Sequence, residues 1–183
     1  MTSAHRPPFR MLGEHSMARW ALLGALVVAS IGVGYTVWRK PARKPPEIRY
    51  LADGTVALLE ADTRLRPAAG FPSPREASLD GEGLLEVPAG RQPLIVRTHL
   101  MHLEVRGAST LAITAWSRET GEQVEVLSGE VIVSKNYAST YRVPDDLHGG
   151  EMSMVNETID LMEKENIDPP SLARIRARAD RLD

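Results

Sequence analysis

Residues 20–38 read WALLGALVVASIGVGYTVW, nineteen consecutive positions without a charge, and no other feature limits the chain's architecture as strongly. A helix over this run is ~28 Å long at about 1.5 Å per residue, which matches a hydrocarbon core of roughly 30 Å. Trp20 and Trp38 stand at its ends, where indoles favour headgroup depth, and Arg19, Arg39 and Lys40 flank it against sliding. A buried core helix is rarely apolar on every face over such a length. A secretory signal has a shorter apolar stretch followed by small residues, whereas this run ends in Trp-Arg-Lys-Pro. The sequence therefore predicts an uncleaved transmembrane helix over 20–38, after a short N-terminal segment, 1–19. A linker follows at 39–49, in which RKPARKPPEIR alternates prolines with basic residues, a composition that favours extended polyproline geometry and a semi-rigid spacer.

Charge divides the chain at the same place. Residues 1–49 hold eight Arg or Lys against two Glu, and the remaining residues hold 22 acidic against 14 basic side chains. An acidic body is a poor match for a phosphate backbone, so nucleic acid is excluded as its partner. Five basic residues follow the apolar run and three precede it, which by count alone places the C-terminal side in the cytoplasm. The rule weakens for long downstream domains, which translocate largely regardless of charge. The chain has no cysteine, which removes thiolate catalysis, disulfides and cysteine-ligated metal centres.

Beyond residue 50 the apolar residues recur at period two in short runs, the pattern of half-buried strands. Leu103 and Val105, then Leu111, Ile113 and Ala115, then Val124 and Val126, then Val131 and Val133 alternate with polar neighbours. About eight such strands predict a mainly β fold over 50–155, an antiparallel sandwich, roll or solenoid-like stack. Asp53-Gly54, Asp80-Gly81 and Ser128-Gly129 each precede an apolar run and read as hairpin or corner turns, with glycine supplying positive φ. EMSMVN reads as a last strand, and 156–183 as a helical tail: a short charged helix over ETIDLMEKENI, a break at Pro169 and Pro170, then a second helix capped by Ser171. In that second helix Leu172, Ile175, Ala179 and Leu182 form one apolar stripe among four arginines, a face suited to docking on the acidic β-body, on a partner helix or on lipid headgroups. Docking on its own domain, or fraying at the terminus, is the favoured reading.

Candidate chemistry is sparse. In SLDGEGLLEVP, residues 78–88, Asp80, Glu82 and Glu86 invite comparison with a hydrolase carboxylate pair. If Glu82 opens a strand, Glu82 and Glu86 share a face with Leu84 and stand roughly 13 Å apart at ~3.3 Å per residue. Paired glycosidase carboxylates lie about 5 to 9.5 Å apart, so an ordinary turn and strand is the expected reading. His99 and His102 form an H-x-x-H pair, but on a strand they point to opposite faces and no third ligand follows at a metal-site spacing. No nucleophile elbow, phosphate-cradling loop or dinucleotide fingerprint is present, so no catalytic, cofactor or metal residue is assigned and no enzymatic activity is expected.

The order of short elements resembles the FecR family of membrane-anchored sigma-factor regulators. The resemblance rests on DGTVALLEADTRL (Asp53 to Leu65), REASLDGEGLLEV (Arg75 to Val87), PLIVRT (Pro93 to Thr98), VRGASTLAI (Val105 to Ile113) and VEVLSGEVIV (Val124 to Val133). Leu84 and Leu85 stand where the family has an aromatic pair, and Leu94 and Leu111 where it has phenylalanine. The resemblance implies a single-pass protein of the bacterial inner membrane with its β-domain in the periplasm, against the basic-residue count. It further implies a signalling protein that modulates a sigma factor. Its expected partners are a sigma factor or a separate cytoplasmic regulator, and the signalling domain of an outer-membrane TonB-dependent transporter of the iron-uptake kind. Family members carry a longer cytoplasmic segment than the nineteen residues before this apolar run, which favours the separate regulator. The alternative reading is an envelope scaffold that binds peptidoglycan or another envelope protein.

Overall fold

Alternating runs bury one face of a strand, and a sheet built from them must cover that face. The computed structural model describes residues 44–182, and there the chain covers it by folding one ten-stranded sheet back on itself. The strands are β1 (Glu47–Tyr50), β2 (Val56–Leu59), β3 (Arg64–Pro67), β4 (Glu76–Val87), β5 (Leu94–Arg97), β6 (Met101–Ala115), β7 (Gly121–Lys135), β8 (Asp145–His148), β9 (Glu151–Asn156) and β10 (Leu161–Asn166). One helix, α1 (Pro169–Ala179), follows. The apolar run 20–38 and linker residues 39–43 lie outside the described residues. Among the described residues no helix is long and apolar enough to cross a membrane.

The long strands β4, β6 and β7 change partners along their length. Residues 76–80 of β4 lie between β3 and β5, and residues 81–87 lie between β2 and β6. The first part of β6 pairs with β5 and the end of β7, and its second part pairs with β4 and the start of β7. The start of β7 also pairs with β9, and its end with β8. One layer therefore runs β1-β2-β4-β6-β7-β9-β10 and the other β3-β4-β5-β6-β7-β8, with β4–β5 the parallel pair. Strands that pass from one layer to the other make the corners of such a fold.

Glycine makes those corners possible. Gly81 has φ +134, and a Cβ there would lie 2.7 Å from Thr63 Cα, because Thr63 Oγ1 donates to Glu82 O and accepts from Glu82 N, both at 2.9 Å. Gly129 has φ +93 and a Cβ would lie 2.6 Å from Ala108 O. Both glycines were expected in hairpin or corner turns, and the structure places both at corners, inside continuous strands. The positive φ is needed as expected, but here it bends a strand that still has partners on both sides. Asp53-Gly54 is a turn, with Asp53 Oδ1 accepting from Thr55 N at 2.9 Å.

The core fills the space between the layers. Leu103, Val105, Leu111, Ile113, Val124, Val126, Val131 and Val133 are all fully buried in it, as the alternation predicts. Leu85 and Val87 point into the same core, while Leu84 faces the other way into a second cluster with Leu58, Ala112, Ile167 and Ile175. That second cluster lies beneath α1.

The layers are tied together at their open sides. Arg49 of β1 donates from Nη1 to Leu65 O of β3 at 2.9 Å, and Lys164 of β10 donates to Asp146 O of β8 at 2.6 Å. Each contact satisfies an edge-strand carbonyl with a cation, and edge charges of this kind discourage pairing with other chains. Since β1 starts at Glu47, the last linker residues belong to the sheet.

The tail departs from expectation. Residues 157–160 form a turn, and β10 replaces the charged helix expected over ETIDLMEKENI. Asn156 Oδ1 accepts from Thr158 N at 3.0 Å, Asp160 takes φ 50, and the returning strand pairs with β9 along its length while Met162 packs against the core. An isolated helix of that length is marginal in water, and an edge to pair with outweighs its propensity. The next helix begins earlier than Ser171: Asp168 is its cap, accepting from Ser171 N at 3.0 Å, and Pro169 and Pro170 occupy its first turn, where a missing N–H costs nothing.

Candidate functional site

The three carboxylates of residues 78–88 have separate surroundings. Asp80 accepts from Ser117 N at 3.0 Å and stands 3.7 Å from Arg64; the Ser117 bond first, then Arg64, hold its pKa below the ordinary value. Glu82 accepts from Arg178 Nη1 of α1 at 2.8 Å. Glu86 lines a shallow groove with Val56, Pro88, Ala108 and Thr110. Glu82, Leu84 and Glu86 do share the outer face, as their spacing predicts.

The histidines also separate. His99 lies in the turn between β5 and β6 rather than in a strand, with Nε2 4.0 Å from Glu157. His102 is in β6, its Nδ1 3.0 Å from Arg97 Nη1, and burial together with Arg97 lowers its pKa. Among the described residues no group of three or more His, Asp or Glu side chains is placed to hold a metal ion.

Buried ionic groups mark where the domain is most specified. Arg75 donates from Nε to Asp53 Oδ2 at 2.6 Å, from Nη1 to Gln92 O at 3.0 Å and from Nη2 to Pro88 O at 2.9 Å. It clamps the turn before β2 to the loop after β4. Burial alone would raise the Asp53 carboxyl, but bonds from Thr55 and Arg75 outweigh it and leave its pKa lowered. Glu122 is buried in the core at the β5–β6 turn, accepting from Thr98 Oγ1 and from Leu100 N at 3.0 Å. Its second oxygen, Oε1, has no partner, and burial pushes its pKa up.

A third cluster joins the β7–β8 connection to the β9–β10 turn. Lys135 Nζ donates to Asp160 Oδ1 at 2.7 Å and to Asp160 O at 2.7 Å. Asp160 also accepts from Ser139 Oγ at 2.6 Å and from Thr140 Oγ1 at 2.9 Å, while Tyr137 and Tyr141 flank the ammonium with ring centroids at 5.6 and 6.0 Å. The Lys135 and Ser139 bonds hold the Asp160 carboxyl far below its usual range. Beside the cluster is a depression of 510 Å³ lined by Ser134, Asn136, Tyr137 and Arg142. The polar atoms around it are largely engaged with one another, so the cluster fixes loop shape.

The most developed surface feature is the contact of α1 with the outer face of the first layer. Ile175 is 1% exposed, and Leu172, Ala179 and Leu182 pack around it, the stripe read from the sequence. Arg178 bridges Glu60 and Glu82 at 3.1 and 2.8 Å, and Arg174 stands 3.8 Å from Glu125. Glu125 is only 7% exposed, and burial raises its pKa against the opposing pull of Arg174 and Arg178. Sequence reasoning singled out neither Glu60, Glu125, Lys135 nor Asp160, because their partners lie far along the chain.

A bent single-sheet β-domain closed by a C-terminal helix is the class that these features define. Two crystal structures of a candidate anti-sigma factor from Parabacteroides distasonis, at 1.65 and 2.50 Å resolution, are similar to the chain in fold. Each is 27% identical to this chain with a TM-score of 0.62, over 72% of this chain and 60% of theirs. The chain thus spans 60%, less than two thirds, of that protein's length. No family model matches the sequence. No curated protein matches it either.

Proposed function

We propose that this chain is a membrane-tethered regulator of the FecR type, whose β-domain receives a signal outside the inner membrane and thereby controls a sigma factor. The observation that carries the reading is the shared fold, at 27% identity over 72% of the chain, with a candidate anti-sigma factor. The apolar run 20–38, of spanning length and flanked by arginines and a lysine, supplies the tether. In this reading the domain is periplasmic, and its upstream partner is the signalling domain of an outer-membrane TonB-dependent transporter. Downstream, the sigma factor is engaged directly or through a separate cytoplasmic regulator.

The domain works by protein contact. Its two open sides are tied by Arg49 and Lys164, and the corner strands are continuous, which suits a rigid body that presents faces and loops to partners. A rigid receiver transmits docking to its tether without needing an internal hinge.

Two measurements test the proposal together. A phosphatase fused after Asp183 should be active in intact cells, and a fluorescent protein that matures only in the cytosol should stay dark at the same position. Deleting the gene should change transcription from promoters of one alternative sigma factor. A cytosolic C-terminus overturns the sensing role, and unchanged transcript levels would leave an envelope scaffold as the better reading.

A further inference from the structure

We propose that α1 is a displaceable latch, and that the surface beneath it is a docking site for a basic amphipathic helix of a second protein. The inference is independent of the sigma-factor reading, since it rests only on how α1 meets the sheet.

The surface is distinct from the sandwich core. Leu58, Leu84 and Ala112, with Leu127 and Met152 beside them, form a cluster on the outer face of the first layer, and the residues between the layers form another. Removing α1 would uncover the outer cluster and leave the inner one closed. The chain before the helix is anchored separately, by Ile167 N donating to Gly150 O at 2.8 Å, so the helix can leave without unpairing β10.

The docked state is poorly compensated. Arg178 Nε is buried with no hydrogen-bond partner. Arg174 stands 3.8 Å from Glu125, a looser ion pair than the two that Arg178 makes at 3.1 and 2.8 Å. Buried polar groups left unpaired oppose the contact that buries them. The helix is also only 11 residues long, and a helix of that length has little stability of its own. Only Ile175 of its stripe is fully buried. Undocking and unwinding of α1 is therefore a local opening that leaves the strands paired and the inner core closed.

The rim defines what can replace it. Glu60, Glu82 and Glu125 surround the apolar cluster, and among the described residues their ion-pair partners are Arg174 and Arg178 alone. An occupant must carry cations four residues apart along an apolar stripe, as α1 does. The acidic rim repels anionic lipid headgroups and phosphate backbones. A second copy of this chain begins with its own α1 already docked, so an exchange gains no contact. A partner helix that is otherwise free gains all of them, by the helix-in-groove mode.

Hydrogen exchange on the full chain in detergent micelles gives the first test. Amides of residues 172–182 should exchange at least about tenfold faster than those of residues 103–105 in β6. Equal rates would mean that α1 opens only with the whole domain, and would overturn the latch. The second test uses a labelled peptide of residues 168–182 as the basic helix, titrated against the full chain carrying Ile175→Asp. The peptide should bind saturably, and adding Glu82→Lys and Glu125→Lys should weaken it at least about tenfold. No binding to an Ile175→Asp chain that keeps its strand circular dichroism overturns the docking site. Failure of that variant to fold, or a wild-type chain that dimerises by exchanging α1, overturns it as well.

Discussion

Replacing Arg75 with alanine removes three hydrogen bonds at once and leaves their acceptors inside the protein. The Arg75 side chain is 7% exposed and that of Asp53 5%, so water cannot take over freely. The variant strands one buried carboxylate and the carbonyls of Pro88 and Gln92. Removing one partner of a buried ion pair costs about 3–5 kcal/mol. Asp53 keeps both of its bonds from Thr55, at 2.9 and 2.8 Å, which favours the lower half of that range. For a domain of this size the melting temperature should fall by roughly 10 °C. Thermal unfolding of the full chain, followed by circular dichroism in the strand band, reads the change. The pH dependence has a definite sign. Asp53 has a lowered folded pKa, so its stabilisation is present above the unfolded value and is lost as pH falls through the folded value. In Arg75→Ala the unpaired carboxyl should rise in pKa, and mild acid should narrow the deficit. The double variant Asp53→Asn with Arg75→Met removes the charge along with its partner and should recover more than half of the loss. A single variant within about 1 kcal/mol of wild type, or a double variant no better than the single, refutes the clamp.

Gly129→Ala should cost roughly 2–5 kcal/mol, since it meets the Ala108 carbonyl at positive φ, whereas Gly107→Ala, at φ +65 with nothing within 4 Å, should cost only about 1–2 kcal/mol. Denaturant unfolding of the two variants side by side checks the difference. Glu122 has a raised folded pKa, so its stabilisation is complete below the ordinary glutamate value of 4.5 and is lost as pH rises through the folded value. Glu122→Gln should therefore flatten the stability profile above that value and raise the melting temperature at neutral pH. Asp160→Asn should loosen the β7–β8 connection from the β9–β10 turn by weakening the bonds that Lys135, Ser139 and Thr140 make to residue 160, and faster tryptic cleavage after Arg142 reads it.

The faces of β4, β6 and β7 were legible because alternation is local. Leu103 and Val105 point inward for the same reason that Glu104 does not, and Glu82, Leu84 and Glu86 share the outer face as period two requires. The apolar stripe of α1 was legible too, since Leu172, Ile175 and Ala179 follow the helical period. Less legible was what a glycine does. Gly54 closes a turn while Gly81 and Gly129 bend strands, and all three have positive φ. The difference lies in the neighbours: β4 and β7 find partners beyond the bend, and those partners are tens of residues away in the chain.

Residues 161–166 show the same limit from the other side. LMEKEN has no strong strand signal, and it forms a strand because β9 offers a free edge and the core accepts Met162. The buried pair Asp53 with Arg75 and the half-buried pair Lys135 with Asp160 are separated by 22 and 25 residues, so no local pattern announces them. By itself the amino-acid order determined a long uncharged segment, an acidic β-body and the inward residues, because solvent preference and backbone period act over a few neighbours. Tertiary structure alone decided which strands cross between layers, which charges meet and where the last helix rests, because those outcomes depend on distant segments competing for the same backbone partners and the same buried space.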